Sequence, residues 1–255
     1  MISTIDILLW GAAPYATLAL LIAGTVWRYR YDRFGWTSRS SQLHESRILK
    51  VASPLFHFGL LMVVGGHVLG LFVPKNLTEL VGITEDDYHV VSLLLGTVAG
   101  LAAIAGLALL LWRRLRTPAV RDATTRSDKT MYVVLVLVLL AGLATTIVDN
   151  GARGGYDYRE TIGPWMRGIF LLHPRPELLA HAPLDYQLHT GIGMVLFTLW
   201  PFSRLVHAFS APLQYLFRPY LVYRGRRPGR IGTRTPERGW EPHRDHHTAG
   251  PRGRR

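Results

Sequence analysis

Four histidines lie inside two strongly apolar stretches, His57 and His67 in one, His189 and His207 in the other. An imidazole is costly in hydrocarbon unless something binds it, and polar side chains at that depth are rare and usually functional. A lone intramembrane histidine is often satisfied by a carbonyl or hydroxyl of a neighbouring helix. Four on two helices is a different pattern. If the two helices run antiparallel, His57 falls level with His207, and His67 with His189, so each pair sits at one depth. Such a pair suits haem b: a flat apolar macrocycle slots between helices, each imidazole supplies one axial bond, and six-coordinate iron keeps no open position. The chemistry indicated is electron transfer through two haems. Zinc prefers a compact tetrahedral cage, which histidines this far apart along their helices do not form. A proton-relay transporter would bring membrane-embedded acids or a duplicated architecture, and neither is visible.

The spacing sets a geometric demand. At 1.5 Å per residue, His57 and His67 are separated by roughly 15 Å along an ideal helix, but His189 and His207 by roughly 27 Å. A straight upright bundle does not match both, and strong tilt with a bend near Pro201 reduces the mismatch. At 100° per residue the 18-residue spacing returns to one face, whereas the 10-residue spacing is offset by about 80°, so the helix carrying His57 and His67 presents two neighbouring faces.

The elements that position these residues follow from where charge is missing. Although 49% of the 255 residues are hydrophobic, the net charge is +12, so apolar and basic residues are segregated along the chain. Uncharged runs at 7–27, 51–73, 90–112, 131–148 and 186–203 each approach the roughly 20 residues that cross about 30 Å of hydrocarbon as a helix. The expectation is an all-α integral membrane protein, a five-transmembrane-helix bundle over residues 1–223, with the fifth span reaching about residue 208. Of the 29 Lys and Arg, 24 fall in the first and third connectors and after the fifth run, and only five in the other two connectors. The positive-inside bias then puts the N-terminus outside and the C-terminus in the cytoplasm. Asp6, with no basic residue before the first run, argues against a cleavable signal peptide.

Ten arginines against Glu237, Glu241 and Asp245 make residues 224–255 a basic, Pro- and Gly-rich tail without apolar periodicity, read as disordered. It supplies much of the positive charge, and a solvated tail or one that meets anionic lipid accounts for it without nucleic acid. His243, His246 and His247 belong to this tail and carry no metal role. Cysteine is absent, which excludes disulfides, thiolate-held clusters and covalent haem attachment; any redox cofactor must be held by histidine.

Along the chain, Trp27-Arg28-Tyr29-Arg30-Tyr31 reads as an interfacial anchor where the first helix leaves the membrane. Ser53-Pro54 offers an N-cap and first-turn proline for the second helix. Gly59, Gly65, Gly66 and Gly70 thin that helix, either for helix packing or for something bulky beside it. In the long connector 149–185, Trp165, Met166, Ile169, Phe170, Leu171 and Leu172 could lie along the membrane surface. Arg204, one turn before His207, could pair with a haem carboxylate or simply follow the positive-inside rule.

Arg28-Tyr29-Arg30-Tyr31-Asp32 with Trp36 and Ser40-Ser41-Gln42, then Ser53-Pro54-Leu55-Phe56-His57, Gly66-His67, Ala123-Thr124-Thr125 and Pro201-Phe202-Ser203-Arg204-Leu205-Val206-His207 resemble the gamma subunit of membrane-bound respiratory nitrate reductase. The likeness runs from about residue 5 to 223. It implies five helices, two b haems, quinol oxidation near the outer face and electron delivery inwards. It also implies that His57 and His207 ligate the haem nearer the cytoplasm, and His67 and His189 the outer haem. The implied partners are a beta subunit with iron-sulfur clusters and an alpha subunit with molybdenum, where nitrate becomes nitrite, in the cell membrane with its quinone pool. One departure concerns a lysine before the third helix that assists quinol binding in the family. Here the stretch reads Thr84-Glu85-Asp86-Asp87-Tyr88-His89, and Lys75 is the only lysine in that loop.

Quinol oxidation releases protons, and His89, Asp86 and Asp87 are candidate acceptors, His89 foremost because its ordinary pKa lies near neutrality; Lys75 is the remaining quinol-side candidate. The rival functions are a cytochrome b subunit of another respiratory oxidoreductase, of formate dehydrogenase or hydrogenase type, and a haem-free anchor or transporter.

Overall fold

A computed structural model describes residues 2–32, 35–36, 41–42 and 44–210. Arg33, Arg39, Ser40 and the basic tail lie outside the described residues. Within them the chain is helical, with no strand among the described residues.

Four long helices run over Thr4–Tyr31, Leu49–Phe72, Glu85–Arg116 and Arg126–Ala152, and a fifth over Leu184–Phe202 continues into Arg204–Ser210 after a bend of 77°. These are called helices one to five. Each of the five expected apolar runs falls on one of them. Helices one, three and four start with the same device: Ser3, Thr84 and Thr125 accept the amide of the third helical residue, and the side chains of Asp6, Asp87 and Asp128 return the bond to the cap backbone. This reciprocal capping satisfies amides that otherwise have no intrahelical partner. Ser53-Pro54 does not start helix two. The helix already begins at Leu49, and Pro54 lies in its second turn, where it withholds the amide that the Lys50 carbonyl would otherwise accept.

Helix two packs along helix three, and helix five packs along helices four and one. The first pairing is close because small residues meet: a Cβ on Gly59 would lie 2.6 Å from the Ala103 amide nitrogen, and one on Gly106 would overlap the Phe56 backbone. Gly65 and Gly66, by contrast, face open space. Gly59 thus serves helix packing, one of the two uses open to it in the sequence.

One apolar cluster joins Phe56, Ala103, Leu107, Met131, Leu135, Val138, Leu139, Leu196 and Leu205 from helices two to five. A second lies where Trp10 meets Ile162, Trp165, Ile169, Leu179 and Tyr186. The helix Ile162–Phe170 therefore does not merely lie on a surface. Trp165 is buried and donates its indole N–H to the Trp10 carbonyl at 2.8 Å, while Phe170, Leu171 and Leu172 remain exposed. Outside these clusters the apolar helices are bare: in the most apolar window of helices one to four, only 17% to 28% is buried. An exterior this apolar matches a lipid surrounding.

Contacts sort the helix ends into two groups. The starts of helices one, three and five gather with the ends of two and four, through Trp165 to Trp10, Arg167 to Leu71, His89 to Asn150 and Tyr186 to Asn150. At the other end, which holds most of the arginines, Arg28 reaches Pro201 and Ser203, Arg113 reaches Ser41 and Glu45, and Arg204 reaches Asp128. Among the described residues, three short π-helical stretches, Ile7–Ala12, Val68–Phe72 and Thr145–Ala152, lie towards the first of these ends. Such turns re-aim side chains and often accompany functional sites.

Candidate functional site

The imidazoles of His57 and His207 stand 6.1 Å apart between ring centroids, and those of His67 and His189 stand 5.8 Å apart. The structure therefore brings together the same pairs that antiparallel helices require. The 27 Å difficulty is resolved by the break in helix five. Its α-helical part ends at Leu199, a 3₁₀ turn covers Trp200–Phe202, and Arg204–Ser210 turns away by 77°, so His207 lies beside helix two rather than far along the axis. Proline without a donor N–H begins the departure, as the sequence leads one to expect of Pro201.

Each ring also has a fixed orientation. Nδ1 of His57 meets the Ser53 carbonyl at 2.7 Å, Nδ1 of His67 the Val63 carbonyl at 2.8 Å, and Nδ1 of His207 the Arg204 carbonyl at 2.5 Å. Nδ1 of His189 meets the Val138 carbonyl of helix four at 3.1 Å. A carbonyl can only accept, so every Nδ1 carries the proton and every Nε2 presents a lone pair. Among the described residues, no hydrogen bond takes any of the four Nε2 atoms. Satisfaction by a neighbouring carbonyl thus accounts for one nitrogen of each ring and leaves the other.

A carbonyl behind Nδ1 is the usual support of a metal-binding imidazole, because it fixes tautomer and ring direction. Two metal–nitrogen bonds of about 2 Å, each extended by about 1.1 Å to the ring centre, put trans imidazole centroids about 6 Å apart. Both pairs have that separation. No third His, Cys, Asp or Glu completes a metal-binding group at either pair among the described residues. Each pair thus presents two imidazoles and no further protein ligand among the described residues, a set that would leave the other positions of any bound metal to a non-protein group. Gly65, Gly66, Gly191 and Gly193 have nothing within 4 Å of a would-be Cβ, so no side chain fills the space beside these four positions.

Around the first end, next to His67 and His189, lies a tyrosine cluster that the sequence did not single out. The Tyr158 hydroxyl is 3.4 Å from that of Tyr88, both lie against Gly70, one turn beyond His67, and Tyr158 stacks on Tyr186, one turn before His189. Burial and the Tyr88 hydroxyl push the Tyr158 phenol above its ordinary pKa. Arg159 lies over the Tyr88 ring and pairs with Glu85 at 3.1 Å. Asp149 is buried in the π-helical end of helix four, with one carboxylate oxygen lacking a hydrogen-bond partner among the described residues.

The other sequence candidates are placed as follows. His89 donates from Nε2 to the Asn150 carbonyl at 3.1 Å. Asp87 is the capping carboxylate of helix three, Asp86 is exposed beside it, and Lys75 pairs with Asp157 at 3.2 Å, a hydrogen bond that raises the ammonium pKa. Arg204 grips Asp128 through Nε and Nη2, both at 2.9 Å. Its Nη1 has no hydrogen-bond partner among the described residues.

Comparison with known proteins adds a family. The model of the nitrate reductase gamma subunit family matches residues 6–226. The nitrate reductase gamma chain of Bacillus subtilis is 45% identical over 219 residues, covering 86% of this chain and 98% of that one. The respiratory nitrate reductase 2 gamma chain of Escherichia coli is 31% identical over 228 residues, 89% of this chain and 100% of its own. The nitrate reductase-like protein NarX of Mycobacterium tuberculosis is 52% identical over 234 residues, and the match covers 91% of this chain but only 36% of NarX.

Proposed function

The chain belongs to the nitrate reductase gamma subunit family, and from that premise we propose that it is the dihaem, quinol-oxidising cytochrome b of a respiratory nitrate reductase. The observation that carries the reading is the geometry of the four histidines: two opposed pairs at metal-bridging separation, every Nδ1 on a carbonyl and every Nε2 available. Bound there, haem b supplies one-electron storage and transfer without an open coordination position.

The bundle lies with its arginine-rich end in the cytoplasm and its N-terminus outside, as the distribution of positive charge requires. His57 and His207 then hold the inner haem and His67 and His189 the outer one. Quinol gives up its electrons near the outer pair, and electrons leave at the inner end to an iron-sulfur beta subunit and a molybdenum-containing alpha subunit that reduces nitrate to nitrite. The chain sits in the cell membrane, in contact with lipid and the quinone pool.

For the protons of the quinol, His89 is the best-placed acceptor. With Nε2–H donated to the Asn150 carbonyl, its Nδ1 carries the lone pair of the ring. Asp87 is occupied in the helix cap and Lys75 is neutralised by Asp157, so both act by shaping the local field; Asp86 remains exposed as a second acceptor. Arg204, whose Nε and Nη2 are taken by Asp128, would offer its remaining nitrogen to a carboxylate of the inner haem.

A reduced-minus-oxidised spectrum of membranes bearing the complex, with haem quantified per chain, tests the reading. Two low-spin b haems per chain are expected. Replacing His67 or His189 should remove one and abolish quinol oxidation, and spectra that keep both haems in such variants would overturn the assignment.

A further inference from the structure

The break in helix five exposes backbone carbonyls in the apolar interior, where each needs a donor. All four carbonyls from Trp200 to Ser203 have one. Trp200 accepts the amide and hydroxyl of Ser203, Phe202 accepts the Ser127 hydroxyl at 2.7 Å, and Pro201 and Ser203 both accept Nη1 of Arg28, at 2.6 and 3.1 Å. Arg28 belongs to helix one. Its other nitrogen atoms are directed to the Gly35 carbonyl and to Asp32, so the planar fork ties the break to the chain that leaves helix one. Gly24, one turn earlier, lets the same helix close on the proline: a Cβ there would lie 2.9 Å from that of Pro201.

From Ser203 the chain has only four residues to His207, whose ring is held by the Arg204 carbonyl. We propose that Arg28 is the positioning residue for His207: by holding the carbonyls of Pro201 and Ser203 it fixes the 77° turn that carries this imidazole to His57. The proposal rests on the reading of His207 as an axial ligand of the inner haem. An interfacial anchor, the role that the surrounding aromatic residues suggest, would leave the guanidinium at the surface. Arg28 is instead 5% exposed, while Trp27, Tyr29 and Tyr31 around it are more than half exposed. Lysine carries the same charge but not the planar fork, so the two are not equivalent here.

The experiment compares R28Q, R28K and the neighbouring exposed R30Q in the full complex in membranes. Optical redox titration and low-temperature electron paramagnetic resonance follow the two haems separately. In R28Q the inner haem signal should be lost or its potential and line shape altered, with the outer haem signal unchanged; R28K should restore part of the inner signal, and R30Q should match the parent. Unaltered inner signal in R28Q overturns the proposal. So does simultaneous loss of both signals in R28Q and R28K, which would make the residue a general folding determinant. Absence of both haems from the parent protein would instead overturn the dihaem reading itself.

Discussion

The ring planes of His57 and His207 cross at 75°, whereas those of His67 and His189 differ by only 37°. Were a haem iron bound at each pair, as proposed, crossed imidazole planes would raise both iron dπ orbitals nearly equally and more aligned planes would split them. The two centres should therefore be distinguishable in the oxidised state. The inner haem is expected to show the larger g anisotropy and the outer a more rhombic signal. Low-temperature electron paramagnetic resonance checks this, with a His67 variant to assign the bands; two superimposable signals would contradict the geometry.

Two glycines separate local from global effects. A Cβ on Gly142 would lie 2.8 Å from Cε1 of His189 and must push that ring, whereas one on Gly106 would strike the backbone of Phe56 and must part helices two and three. Gly142→Ala should lower the outer haem selectively and leave the inner one in place. Gly106→Ala should reduce accumulation of the whole protein, because backbone cannot yield as a side chain can. Haem occupancy by difference spectrum, set beside the amount of chain in the membrane, distinguishes the two outcomes.

Much of this arrangement is legible from the residues. Uncharged runs near membrane-spanning length, separated by arginine-rich connectors, lead to five helices, and the order of the histidines leads to their pairs. The mismatch in spacing even points to Pro201. What could not be read depends on contacts between distant segments. No pattern around Val138 announces that its carbonyl will support His189, and Arg28 sits in an aromatic stretch that looks interfacial although its guanidinium is buried. Ser53-Pro54 satisfies local capping rules, yet helix two begins at Leu49 and takes the proline into its second turn. The tyrosine cluster has no local signature, because Tyr88, Tyr158 and Tyr186 come from three separate parts of the chain.

Asp128 closes the cap of helix four and takes the fork of Arg204, and its side chain is only 2% exposed. Removing one member of such a pair leaves the other charge buried, a loss of about 3 kcal/mol or more. Asp128→Ala should lower the thermal stability of the detergent-solubilised protein and loosen the inner haem first, since Arg204 adjoins His207 and supplies the carbonyl behind its ring. The double variant with Arg204→Met should recover part of the stability, because no unpaired charge remains. Melting temperatures across the four-member cycle measure the coupling, and strictly additive losses would show that the pair acts as two independent residues.

Tyr158 provides a test by pH. Burial, followed by its hydrogen bond to Tyr88, raises its phenol pKa in the folded chain, so the folded state keeps a proton that the unfolded state releases above about pH 10. A group whose folded pKa is raised contributes stability below its unfolded pKa and loses that contribution as the pH climbs past it. The parent protein should therefore lose stability more steeply above this point than Tyr158→Phe, in which the same ring carries no ionisable group. Near neutral pH the variant should be the less stable by about 1 kcal/mol, for the lost hydrogen bond. Melting curves from neutral to alkaline pH check both parts, and parallel pH profiles for the two proteins would show that the phenol is not held in its neutral form.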